Sequence, residues 1–180
     1  MDKRISLFLG MEGSGKTTRA LREVANEKRL IILDHINQEI NQGLIVRDLD
    51  SLVDWVERSP DEFRLCAWLS KDEEIDELLE YVYELGDLTL LIDEMDTLCD
   101  GGRLRPGLHN IVASGRHSSV SLVGISQVPH DFPKRLRSQT RKFFVFQMQE
   151  EDDVKWIAKR GFDPEEVKAL PLHECLVKTY

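Results

Sequence analysis

The stretch "FLGMEGSGKTTRALREVANE", residues 8–27, decides the fold. Its core, Gly10-Met11-Glu12-Gly13-Ser14-Gly15-Lys16-Thr17, fits the pattern G-x-x-x-x-G-K-[ST] without mismatch. The chemistry requires these residue types. Glycines let the backbone turn tightly and aim successive N–H groups at an anion. A lysine at position 16 brings a cationic head to the outer phosphates of a nucleotide, and the Thr17 hydroxyl suits a Mg²⁺ ion. Thr18 extends the phosphate-binding run. Just upstream, residues 5–9 form a short apolar run expected to be a buried strand. Downstream, residues 17–28 carry Ala20, Leu21, Val24 and Ala25 on one side and are expected to be a helix. A strand, a glycine loop and a helix in this order put the helix N-terminus under the phosphates, where its dipole favours negative charge. A glycine-rich turn with a chance lysine explains less of this context.

The bulk properties set limits. A chain of 180 residues suggests one domain, residues 1–180. Hydrophobic residues make up 41%, ordinary for a soluble globular protein. The longest apolar runs are strand-sized, so no transmembrane segment is expected. Asp2, Lys3 and Arg4 lead straight into a strand, unlike a signal peptide. Cys66, Cys99 and Cys175 show no C-x-x-C spacing, which suggests reduced thiols in a cytosolic protein. The five histidines are scattered singly, so they propose no metal site. A net charge of −9 argues against a surface that coats nucleic acid as a whole, but it is compatible with one local basic loop.

Along the chain, further strands are expected at residues 29–34, the first of them closing on an acidic residue, and at 63–68, 88–92, 120–126 and 143–148. Helices are expected around 50–58, over 71–86, from 108 to 114 and over 150–161. The second of these carries Ile75, Leu78, Leu79, Val82 and Leu85 at helical spacing, with Gly86 as its stop. "HINQEINQG", residues 35–43, reads as a polar loop, and "GGRLRPG", residues 101–107, as a flexible basic loop. The tail from Pro164 to Tyr180 holds a helical turn and a last strand in "ECLVKTY". Strands alternating with helices indicate an α/β fold, a P-loop NTPase with a mainly parallel central sheet flanked by helices.

Two more stretches complete a site. In "LTLLIDEMD", residues 88–96, an apolar strand runs into Asp93-Glu94. This strand is expected to lie beside the first, with its end facing the phosphates. Asp93 would then hold the Mg²⁺ shell, and Glu94 would orient an attacking water. The milder alternative is an acidic pair capping a helix. In "SGRHSSVSLVGISQVPHDFP", residues 114–133, Arg116 precedes a core strand and Gln127 follows it. A glutamine there can bond both a γ-phosphate and the attacking water. An arginine pointing outward can reach a neighbouring subunit's phosphates. A backbone-satisfying glutamine and a solvated arginine are the plain alternatives.

Together these stretches resemble the FtsK/HerA superfamily of ring-forming DNA-pumping ATPases, in the RecA-like class. The resemblance spans about residues 3–161 and includes the basic segment and acidic helix of "FPKRLRSQTRKFFVFQMQEEDD". In compactness the chain looks most like the genome-packaging ATPases of tailless, membrane-containing icosahedral viruses. The zonula-occludens-toxin-like assembly ATPases of filamentous phages are a nearby second match. The resemblance implies ATP and Mg²⁺ as cofactors and a homo-oligomeric ring, hexamer or pentamer. It also implies double-stranded DNA as substrate and capsid or viral membrane vertex proteins as partners. The host cytoplasm or the virion would be its location. Lys16, Glu94, Gln127 and a trans Arg116 would be the catalytic set. DNA contacts would fall to Arg103 and Arg105 or to Lys134, Arg135, Arg137, Arg141 and Lys142. Solvated faces or intersubunit ion pairs are the alternative for both clusters. Rival functions are a small P-loop nucleotide kinase and a protein that uses ATP only to hold an oligomer together. A GTPase is disfavoured because no N-K-x-D segment occurs.

Overall fold

The computed structural model describes residues 4–100, 102–113 and 119–180. Eight strands form one sheet: β1 (Ile5–Leu9), β2 (Arg29–Leu33), β3 (Leu44–Val46), β4 (Phe63–Ala67), β5 (Thr89–Ile92), β8 (Ser121–Ser126), β9 (Lys142–Val145) and β10 (Leu176–Thr179). The short strands β6 (Cys99–Asp100) and β7 (Arg103–Leu104) pair separately. The sheet order is β10-β9-β1-β8-β5-β2-β4-β3. Every neighbouring pair is parallel except β9 and β10. The mainly parallel α/β architecture read from the sequence is therefore the observed one.

The order corrects one expectation. The strand that ends in Asp93 does not lie beside β1. β8 sits between them, pairing Leu7 with Gly124 on one side and Ile92 with Gly124 on the other. An apolar run identifies a buried strand but says nothing about its neighbour, because parallel pairing is set by distant chain.

Side chains alternate across the sheet. Ile5, Leu7, Leu9, Leu90 and Ile92 face one core. That core is built with α2 (Leu49–Arg58), α3 (Asp72–Leu85), α4 (Pro106–Ala113), α6 (Glu151–Ala158) and α7 (Pro164–Ala169). Phe8, Leu30, Ile32, Leu91 and Ile125 face the other. Among the described residues, α1 (Lys16–Glu23) is the only helix that packs buried residues there.

Local chemistry explains the element ends. The Asp48 carboxylate accepts the Ser51 N–H at 2.7 Å and caps α2. Asp163 caps α7, with Pro164 at its first position. The helix expected over 17–28 is shorter, because α1 ends at Glu23. Arg64 on β4 donates to the Val24 and Ala25 carbonyls, both at 3.3 Å, and so satisfies the helix end. Several short elements went unassigned in the sequence. β3 follows the polar loop, β7 falls within the expected flexible loop and pairs with β6 just before it, and α5 (Lys134–Gln139) fills the basic segment. Cys66, Cys99 and Cys175 are free thiols. Among the described residues, no helix is long and apolar enough to cross a membrane.

Candidate nucleotide site

The loop from Gly10 to Gly15 leaves the end of β1 and is pinned to its neighbours. Gly10 N–H donates to Ser126 O at 3.3 Å, and Met11 N–H donates to Gln147 O at 2.9 Å. A Cβ at Gly10 would come 2.6 Å from Phe146 Cβ, so only glycine lets the loop pass. Gly15 adopts a left-handed backbone, φ 94°, immediately before α1. The Lys16 ammonium bends back over the loop and donates to Met11 O at 2.8 Å. Burial pulls the Lys16 pKa down, and the nearby Glu94 and Asp93 charges oppose that shift. The Ser14 hydroxyl is buried with no partner. Met11, Glu12, Gly13 and Thr18 are exposed at the rim.

The far wall comes from the ends of β5 and β8. Asp93 N–H donates to Leu33 O at 3.0 Å, which extends the parallel ladder by one bond. The Thr17 hydroxyl lies 3.4 Å from Asp93 Oδ1. Burial pushes the Asp93 carboxyl up to about 6, helped by the Glu94 and Asp34 charges and opposed by Lys16 and the Thr17 bond. Glu94 is left-handed, φ 50° and ψ 50°. Its carboxylate accepts a bond from the Gln127 side-chain amide at 2.7 Å.

Behind this wall runs a polar chain. The Thr97 hydroxyl donates to Glu94 O at 2.7 Å, and His35 Nε2 lies 2.7 Å from the same hydroxyl oxygen. The hydroxyl proton is committed to the carbonyl, so the imidazole donates through Nε2 and its buried Nδ1 has no partner. Burial pulls the His35 pKa down, which favours this neutral form. Next to it, the buried Asp34 carboxylate accepts the N–H groups of Gln38, Glu39 and Ile40 at 2.7–2.8 Å.

Mg²⁺ fits this arrangement. Thr17 and Asp93 present two oxygens close together, and the Glu94 and Asp34 carboxylates lie close enough to add to the burial that raises Asp93. No cluster of three or more His, Cys, Asp or Glu suited to a metal occurs among the described residues.

The structure thus brings Lys16, Thr17, Asp93, Glu94 and Gln127 together. Arg116 lies outside the described residues. Arg103 is exposed on β7, Lys134 and Arg135 are exposed on α5, and Arg137 is half-buried there. Arg105 is held by Asp72 at 2.5 Å and Asp76 at 3.2 Å. Lys142 pairs with Glu23 at 3.2 Å. Sequence reasoning did not assign Asp34, His35 or Thr97 to the site. Asp34 carried the one visible signal, an acidic residue closing a strand before a polar loop.

No family model matches the chain, and no curated protein matches it. Solved structures do. The genome packaging NTPase B204 from Sulfolobus turreted icosahedral virus 2, in complex with AMPPCP, superposes with a TM-score of 0.78 at 20% identity. The match covers 99% of this chain and 92% of that one. The N-terminal domain of zonular occludens toxin from Neisseria meningitidis gives 0.54 at 18% identity, over 100% of this chain and 94% of that one. The cytoplasmic domain of the type VII secretion ATPase EccC from Thermomonospora curvata gives 0.55 at 13% identity, over 83% of this chain and 20% of that one. At these identities the likeness shows a shared fold and nothing finer.

Proposed function

We propose that the chain is an ATP-hydrolysing motor that packages viral double-stranded DNA as a homo-oligomeric ring. The observation that carries the hydrolytic reading is the 2.7 Å contact between Glu94 and Gln127 beside the phosphate loop. A carboxylate held there is placed to take a proton from water. An enzyme that passes the phosphoryl group to another acceptor has to keep water out. The full-length fold likeness to a viral packaging NTPase supports the choice of motor.

In this reading Lys16 leaves Met11 O to meet the outer phosphates, and the loop N–H groups hold the rest. Thr17 and Asp93 would hold Mg²⁺, which when bound would offset charge on the phosphates. Gln127 spans the γ-phosphate and the water. Water oxygen bonds to the γ-phosphorus as the bond to the bridging oxygen breaks, and Glu94 accepts the proton. Arg116 completes a neighbour's site in trans. DNA runs past Arg103, Lys134, Arg135 and Arg137, and Arg105 joins only by leaving Asp72 and Asp76.

Hydrolysis measured against protein concentration, with and without double-stranded DNA, tests this. Specific activity should climb with concentration and climb again with DNA. Activity strictly proportional to concentration and indifferent to DNA would reject a ring completed in trans.

A further inference from the structure

We propose that the strap between α7 and β10, residues 171–175, is the shelf on which the nucleobase of the bound nucleotide rests. The proposal builds on the nucleotide-binding reading of the loop. The sheet order sets the direction. Asp93, Glu94 and Gln127 lie on the β8–β5 side of β1, so the reacting γ-phosphate belongs there. The nucleoside must then leave on the opposite side, toward β9 and β10.

On that side the strap crosses the loop. His173 N–H donates to Ser14 O at 3.2 Å. Its imidazole stands so close to Gly15 that a Cβ there would come 2.9 Å from Nδ1. His173 itself is left-handed, φ 70°. The strap is held at both ends. Glu174 N–H closes a turn onto Pro171 O at 3.2 Å, and Cys175 packs against the core under α1.

Between these anchors Leu172 is 57% exposed, among the large apolar side chains left in solvent. The strap therefore offers an aliphatic side chain and an adjoining planar ring, at the loop, where a nucleotide carries a flat apolar group. A purine would cover Leu172 and stack near the His173 imidazole, and no other part of the nucleotide has that chemistry.

Calorimetric titration with MgATP and with inorganic tripolyphosphate separates base from phosphate. The proteins are the wild type, Lys16→Ala as a loop control, and Leu172→Ser combined with His173→Asn. Asparagine tolerates the left-handed backbone. The double variant should bind ATP about tenfold more weakly while its tripolyphosphate affinity stays within about twofold. Equal weakening of both ligands, or no change for ATP, would overturn the shelf. If the wild type and Lys16→Ala bound tripolyphosphate alike, the phosphate-loop reading would fall first and the shelf with it. Leu172→Trp gives an independent signal. Its added fluorescence should change on ATP and not on tripolyphosphate, and a silent tryptophan would also overturn the proposal.

Discussion

Asp93 pays for its position in folding free energy when no cation is present. Its carboxyl is raised from 3.8 to about 6, so the folded chain binds a proton more tightly than the unfolded chain does. The stabilising contribution is complete below about pH 4 and is lost as pH rises through about 6. Asp93→Asn should therefore stabilise the nucleotide-free protein at pH 7, by up to about 3 kcal/mol, while abolishing turnover. At pH 4 the gain should vanish, and paired urea melts would check both points. Glu94→Gln should leave ATP binding intact and lower turnover at least about a hundredfold, read by nucleotide retention and phosphate release. The residues in these two predictions were visible in the sequence because each closes an apolar run or a fixed-spacing motif. His173 was not, because its only link to the loop is a contact across the fold, and nothing within "LPLHEC" points to it.

At the scale of elements, runs of apolar residues located most of the large sheet's strands, and glycine, proline and acidic turns located most helix ends. What failed was whatever lacked its own pattern. β3 has three residues. α5 buries only Leu136, so it shows no apolar stripe among its basic residues. The insertion of β8 between β1 and β5 depends on pairing between segments far apart in sequence. That insertion is also what brings Gln127 to Glu94. The loop after β2 is an element of another kind, organised around one carboxylate, with Ile40 buried in the core and its carbonyl bonded by Trp68. Asp34→Ala would leave three backbone N–H groups without their acceptor. It should cost about 2–4 kcal/mol in chemical denaturation, and amide exchange at residues 38–40 should accelerate.

Taken whole, the molecule combines a net charge of −9 with exposed cations on β7 and α5. Any grip on DNA must then be local and backbone-directed, so stimulation of hydrolysis by DNA should fade steeply as salt rises. Stimulation unchanged by salt would argue against these contacts. The central place of β1 has a different consequence, in the order of events as the chain is made. Its sheet partners are Ser121–Ser126 and Lys142–Val145, both synthesised long after Ile5–Leu9. The phosphate loop therefore emerges early and stays unformed until the distant strands arrive on either side. Such non-local pairing is slow to nucleate. During that interval the apolar strand before the loop is exposed to whatever else is present, and ATP has nothing yet to bind.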